Sequence, residues 1–361
     1  MDDDVLVAWF MLRVIPGLGD VRRTRLLRRH RTIRATLRAA LAERSASAIT
    51  QIERTAEACM KASAAAGASI IPFRSPAYPR VLRHLHAPPT LLWTRGRVAL
   101  LERPAIAIVG TRRNTDYGAE TTRMLAADFA RAGIVVVSGL AHGIDRHAHE
   151  AVLEVGGDTL AVIGSGIDVC YPRRHARLQE RIARDGLIVS EFVPGEYAMR
   201  HHFPRRNRLI AALSLGVIVV EAPDRSGALN TATHALELGR EVFAVPGPIG
   251  RESSAGTNAL IRDGAGLVMD AADVMEPLGL VPMAQPVARS DGVARDEFVP
   301  VHDPLEIALL GALDFEPRHA DELAERSRVP VPVAMATLLR LEVEGRVRQA
   351  PGLRFACRSQ A

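Results

Sequence analysis

From residue 105 onward the chain alternates short apolar runs with longer amphipathic stretches. The runs Ala105–Val109, Ile134–Val137, Thr159–Ile163, Leu187–Val189, Val217–Val220 and Glu241–Val245 are rich in β-branched residues and apolar on both faces, the pattern of strands covered on both sides. Helical stretches of roughly 10–15 residues separate them. This alternation predicts an α/β fold: an extended, Rossmann-like, doubly wound and mostly parallel sheet. In such a sheet ligands collect where strand carboxyl ends meet helix N-termini, so the loops after the strands are where chemistry is expected.

The flanks have a different texture. Residues 5–66 show no strand pattern and read as short helices: an apolar start from Val5 to Val14, a turn at Pro16-Gly17-Leu18-Gly19, an Arg-rich segment, then Ala-rich stretches. The Ile15–Gly19 turn resembles a helix-hairpin-helix, in which glycines let backbone N–H groups approach a phosphate; equally, the glycines only turn the chain and Arg22 to Arg38 form a solvated face. Residues 277–302, rich in Pro, Ala, Val and Asp without periodicity, read as a linker. Helices over 305–313, 319–327 and 331–344, followed by a hairpin over Arg346–Cys357 broken at Pro351-Gly352, have winged-helix order. The expected organisation is a helical domain at 1–72, the Rossmann-like domain at 73–283, a linker at 284–302 and a winged-helix domain at 303–361.

Length and composition narrow the class. A chain of 361 residues, 48% hydrophobic, exceeds one core, and 24% charged residues with no apolar run near the ~20 residues of a membrane span exclude both disorder and a transmembrane segment. The acidic start Met1-Asp2-Asp3-Asp4 is unlike a signal peptide. Cys59, Cys170 and Cys357 lack the spacing of a zinc site and are odd in number, so a reducing, cytoplasmic setting is expected. The net charge of +5 raises the prospect of a polyanionic partner. That excess lies in residues 1–72, with 12 basic residues against 7 acidic, whereas 73–302 has 26 against 25 and 303–361 has 8 against 9. The acidic C-terminal balance, with Glu342 and Glu344 in the third helix, favours a protein-interaction role there over DNA reading.

Several loops carry candidate chemistry. Gly110-Thr111-Arg112-Arg113 ends the first strand and offers N–H groups, a hydroxyl and a guanidinium to a phosphate. It lacks the remaining glycines of a dinucleotide fingerprint, Gly164-Ser165-Gly166 does not open a helix, and no Walker lysine exists, since Lys61 is the only lysine. Ser138-Gly139 leads into a segment with His142, Asp145, His147 and His149, whose spacing does not suit one metal; a phosphate loop with Asp145 as cap or brace is preferred. Arg200, Arg205, Arg206 and Arg208 surround Phe203 and Asn207, which fits single-strand binding by charge and stacking, or a helix start with Phe203 inward and the arginines solvated. Ser226-Gly227 opens an Ala/Leu-rich helix as another anion site.

These motifs occur together, in order and spacing, in a known family. Val109-Gly110-Thr111-Arg112, Ser138-Gly139-Leu140-Ala141-x-Gly143-Ile144-Asp145, Tyr171-Pro172, Ser190-Glu191, Phe203-Pro204-x-Arg206-Asn207-Arg208, Ser226-Gly227-x-Leu229-x-Thr231-Ala232 and Val245-Pro246-Gly247 resemble the DprA/Smf family of DNA-processing proteins over roughly residues 78–266. The resemblance implies a non-enzymatic cytoplasmic protein of natural transformation, without metal or cofactor, that binds incoming single-stranded DNA independently of sequence. It also implies a homodimer that loads RecA, with the single-strand-binding protein as a further partner. It places phosphate contacts at Gly110, Thr111 and Arg112, a basic contact at Arg200 and the base-stacking ring at Phe203, with Arg206 and Asn207 as contacts or loop braces. Arg200 replaces a lysine usual in the family, and Asn230 an aliphatic residue. The alternative is a nucleotide-hydrolysing enzyme of phosphoribohydrolase type, which would need a catalytic glutamate; the loop before Thr231 has none until Glu237.

Overall fold

The computed structural model describes residues 3–280, 304–314, 317–343 and 346–357; the expected linker at 284–302 lies outside the described residues. The chain divides into two compact units, Met1–Gln285 and Pro286–Ala361.

In the first unit the strands are β1 (Ser69–Pro72), β2 (Leu91–Gly96), β3 (Ala105–Val109), β4 (Val135–Ser138), β5 (Thr159–Val162), β6 (Leu187–Ser190), β7 (Gly216–Val219), β8 (Glu241–Ala244) and β9 (Gly266–Leu267). They form one sheet in the order β1-β2-β6-β5-β4-β3-β7-β8-β9. The segment from β6 to β9 is parallel throughout, while β1 and β2 extend the β6 edge antiparallel. The period of two along β3 explains its all-apolar sequence: Ala105, Ala107 and Val109 enter the core on one face, and Ile106 and Ile108 the core on the other. Between the strands run α5 (Asp116–Arg131), α6 (Ile144–Glu154), α7 (Ala176–Asp185), α8 (His202–Ala212), α9 (Gly227–Glu237) and α10 (Glu252–Arg262), and the short α11 (Ala272–Met275) follows β9.

The N-terminal helices are α1 (Asp3–Val14), α2 (Asp20–Arg29), α3 (Ile33–Leu41) and α4 (Ala46–Ala65), but they are not a compact unit of their own as expected. Trp9, Phe10, Leu12 and Ile52 share a core with Trp93, Ala161 and Ile188 of the sheet. Phe10 meets the Trp93 ring edge-on at 6.1 Å, and the Trp93 indole N–H donates to Ser63 Oγ at 2.9 Å. A four-helix segment of this size presents too little apolar surface to itself, so it covers a sheet face instead. One of its arginines is turned inward, while most stay exposed: Arg23 is buried and donates to the carbonyls of Leu12 and Arg13 that end α1. From the chain after β1, Arg74 reaches the carbonyls of Leu27, His30 and Arg31 at the end of α2.

In the second unit α12 (Pro304–Ala312), α13 (Ala320–Ser327) and α14 (Val331–Val343) accompany β10 (Arg318–His319), β11 (Val347–Ala350) and β12 (Arg354–Cys357), paired in the order β10-β12-β11. Leu309, Leu323, Leu338, Leu341 and Phe355 fill its core, giving a winged helix. Glu306 pairs with both Arg340 and Arg346, at 2.6 and 3.0 Å. Glu344 lies outside the described residues. Among the described residues no helix is long and apolar enough to cross a membrane.

Candidate nucleic-acid interface

From β3 the chain winds through β4, β5 and β6 in one direction, then starts again at β7 on the other side of β3 and continues to β8 and β9. The connections leaving the paired carboxyl ends of β3 and β7 therefore run to opposite faces of the sheet, to α5 and α9, and a doubly wound sheet opens a crevice at this reversal. A cleft of about 350 Å³ occupies it, walled by Gly110–Arg113 after β3, Phe203 and Asn207 of α8, and Arg225–Gly227 before α9.

Buried carboxylates shape its loops. Glu221, at 2% exposure, accepts from Thr115 N at 2.9 Å and Thr115 Oγ1 at 2.5 Å, while its own carbonyl takes Thr111 N at 2.7 Å. Thr115 in turn caps α5 by accepting from Gly118 N. A Cβ on Gly118 would strike the Glu221 carboxylate, which is why this helical position is glycine. Asp145 plays the same part in the loop after β4, accepting from Gly139 N at 3.1 Å and Ala141 N at 3.3 Å. Between them Leu140 takes φ +57°, a left-handed conformation that costs a leucine energy and is held here by complete burial.

Arg206 faces the same pocket from α8. It is 4% exposed, and its Nη1 donates to Val162 O at 2.6 Å. Burial lowers its pKa to about 10 against the opposing charge of Asp145; burial likewise pushes the Asp145 carboxyl up, opposed by Arg206 and the loop N–H groups. The place a Gly139 Cβ would occupy is filled by the Arg206 guanidinium. Two expected ligand contacts are corrected by this arrangement. Gly139 is glycine to admit a protein side chain, and Ser138 is fully buried with its hydroxyl donating to Ile108 O at 2.7 Å, so neither offers a free group to a phosphate. Arg206 belongs to the wall as a brace, as does Asn207, which donates to Gly227 O and Asn230 Oδ1 at 3.2 and 3.3 Å. Asn230, the departure from the family pattern, thus acts as an acceptor that fixes Asn207.

The remaining arginines of the cluster separate cleanly. Arg205 pairs with Asp20 at 2.7 Å and Glu191 at 3.1 Å, and Arg208 with Glu191 at 2.5 Å, tying α8 to α2 and β6. Burial opposes the charge on Arg205, but Glu191 and Asp20 outweigh it and raise its pKa. Arg200 is exposed, and no ion pair or hydrogen bond holds it among the described residues. His202, stacked on Phe192 at 4.2 Å and bonded to Gly164 O at 3.2 Å, anchors the start of α8 and so aims the next residue, half-buried Phe203, at the cleft. The exposed Arg112 guanidinium lies over the Phe203 ring, 4.7 Å from its centre, and the Tyr171 ring is tilted against Phe203 with centroids 5.6 Å apart. Thr111 is 9% exposed and its Oγ1 accepts from Arg113 N. Ser226 caps α9 by accepting from Ala228 N, and Gly227 borders the cleft with no atom within 4 Å of where a Cβ would stand.

The candidate metal histidines disperse. His142 contacts His175 at 3.2 Å, His147 lies beside Arg123 at 3.0 Å and Arg146 at 3.3 Å, and buried His149 meets Thr159 Oγ1 at 2.6 Å. Arg113, Arg225 and Tyr171 also border the cleft or its extension; the sequence placed Arg113 in the candidate loop after β3 and Tyr171 in a family motif without assigning either a contact, and did not single out Arg225. Adjacency to Arg112, and the loop after β7, were the only signals available for the first two.

Residues 69–279 match the family DNA recombination-mediator protein A, and residues 294–352 match the DprA winged helix domain. Protein Smf of Escherichia coli is 40% identical over 293 residues, spanning 80% of this chain and 78% of that protein. DNA processing protein DprA of Streptococcus pneumoniae is 46% identical over 198 residues, 55% of this chain and 70% of the relative. The X-ray structure of the S. pneumoniae protein superposes with a TM-score of 0.66 at 35% identity, covering 73% of this chain and 95% of that one. DNA processing protein A of Helicobacter pylori, described for its single-stranded DNA binding mode, superposes with a TM-score of 0.53 at 33% identity, covering 59% and 97%.

Proposed function

The chain belongs to the DprA/Smf family of DNA-processing proteins, and from that premise we propose that its cleft binds single-stranded DNA independently of base sequence. The carrying observation is the Arg112 guanidinium stacked on Phe203 at the mouth of the cleft. Among the described residues no carboxylate pairs with Arg112, so this cation and the half-buried ring beside it offer one phosphate contact and one stacking surface, the combination by which unpaired strands are held without reading base edges. Arg200 adds a second cation, and the N-terminus of α9 at Ser226-Gly227 adds N–H groups and a favourable dipole.

The same reading makes the protein a binding partner rather than an enzyme. In support, the buried carboxylates at the cleft, Asp145 and Glu221, are occupied by loop N–H and hydroxyl groups, and Glu237 is exposed at the far end of α9, bonded to His234. Its biological role on this reading is cytoplasmic: a homodimer receives incoming strands during natural transformation and loads RecA on them, in exchange with the single-strand-binding protein. The winged helix serves protein contact, in keeping with the engagement of Arg340 and Arg346 by Glu306.

Fluorescence anisotropy with oligothymidylate and with duplex DNA at two salt concentrations tests the central claim. Single strands should bind tighter, with affinity falling steeply in salt. The double substitution Arg112→Ala, Arg200→Ala should abolish binding while leaving the melting temperature unchanged; intact binding would overturn the site.

A further inference from the structure

Beside the cleft, on the far side of the loop after β3, lies a second groove of about 680 Å³ that the proposed function leaves unused. Arg112 and Arg113 form its near wall and are shared with the cleft. Arg146 in the first turn of α6, and Arg174 and Arg177 at the start of α7, form its other walls. Among the described residues its only carboxylate is Glu150, which stands 3.7 Å from Arg146. Arg113, Arg174 and Arg177 are exposed, and no carboxylate pairs with them among the described residues.

Such a concentration of unneutralised guanidinium groups raises the energy of the protein alone and is relieved by an anion. The imidazole in the groove registers the same field: burial, then the charges of Arg174, His175, Arg112 and Arg146, hold His142 below its ordinary pKa. His142 is itself fixed, bonded to His175, whose Nδ1 is held by Leu140 O at 3.1 Å. The groove is therefore built on the same rigid loop that walls the cleft, with Arg112 as the corner between them.

We propose that this groove is a second DNA subsite, in which Arg113, Arg174 and Arg177 take successive phosphates of the strand whose bases occupy the cleft. The inference rests on the single-strand reading above and adds the direction in which the strand leaves: past Arg112 toward the N-termini of α6 and α7, not past Arg225 and α9. No Phe, Tyr or Trp lines the groove among the described residues, so its contribution is chiefly charge and appears only with strands long enough to reach it.

The test uses the full chain with Arg174→Ala and Arg177→Ala combined. It compares oligothymidylates of about 4 and about 16 nucleotides, the lower and upper ends of single-strand site sizes. The short strand should bind the double variant as it binds the parent, which also certifies the fold. With the long strand the slope of log K against log salt should become shallower by about 1.4, so that the affinity gap to the parent closes about sevenfold between 50 and 200 mM salt. An unchanged slope with the long strand, an equal loss with the short one, or loss of the long-strand advantage on Arg225→Ala instead would each overturn the proposal. Failure of the underlying reading looks different: the unsubstituted chain would show no preference for single strands, and the subsite would fall with it.

Discussion

Replacing Arg206 by alanine distinguishes a brace from a ligand contact. The guanidinium sits at 4% exposure, donates to Val162 O, and supplies the charge that opposes burial of Asp145. No direct hydrogen bond joins the two side chains among the described residues, so the lower end of the cost of stripping a buried charge of its counter-charge applies, about 3 kcal/mol. Leaving Val162 O without its donor adds on the order of 1 kcal/mol. The total of about 4 kcal/mol corresponds to a melting temperature lowered by the order of 10 °C. Denaturant unfolding followed by circular dichroism measures it. In an Asp145→Asn background no buried carboxylate is left uncompensated, and the same replacement should cost less by about 1 kcal/mol or more. A variant as stable as the parent that no longer binds single strands would refute the argument and return Arg206 to the DNA surface.

Phe203→Ala should weaken single-strand binding by about 1–3 kcal/mol, roughly 5- to 150-fold, with little change in the salt slope, because it removes stacking and not charge; titration at several salt concentrations separates the two. Gly227→Ala should leave stability within about 0.5 kcal/mol, since its Cβ meets nothing, whereas Gly118→Ala drives a methyl into the Glu221 carboxylate and should cost about 1–3 kcal/mol; equal melting temperatures for the two would contradict this geometry. Burial, then Arg206 and His175, lower His149 from 6.5 to about 3, and burial with Arg123 and Arg146 lowers His147 to about 4. Both are neutral in the fold but take a proton in the unfolded chain below 6.5, so stability present above that pH is lost as it falls toward the lowered values. The loss should reach about 1.4 kcal/mol per pH unit for each histidine. Unfolding midpoints at about pH 7 and about pH 5 measure it, and His149→Gln should flatten the dependence.

The parallel core of the sheet was legible because β3 to β8 are covered on both faces and spell that burial out in consecutive apolar residues. The outer strands were not. β2 breaks its buried Leu91-Leu92-Trp93 with Thr94 and Arg95, β1 begins exposed at Ser69 and ends on Pro72, and β9 spans two residues, so each depends on pairing with a neighbour more than on a run of its own. The helical N-terminus was legible as helices but not as a layer, since the partner of Phe10 and Leu12 is a sheet face reached only after the chain has folded back.

The sequence by itself determined the kind of protein this is: the doubly wound α/β pattern, the loops where chemistry would lie and, through ordered motifs, the family. It also brought together the residues of one functional loop set, from Gly110 to Gly227. What only the tertiary structure decided is the use of each charge. Four arginines within nine residues are equivalent as letters, yet Arg205 and Arg208 are spent on Glu191 and Asp20, Arg206 on the wall of the cleft, and only Arg200 of the four faces solvent with no partner among the described residues. A guanidinium binds DNA only if no carboxylate or carbonyl reaches it first. The groups that reach Arg205, Arg206 and Arg208 come from strands and helices up to 185 residues away, beyond what local sequence can express.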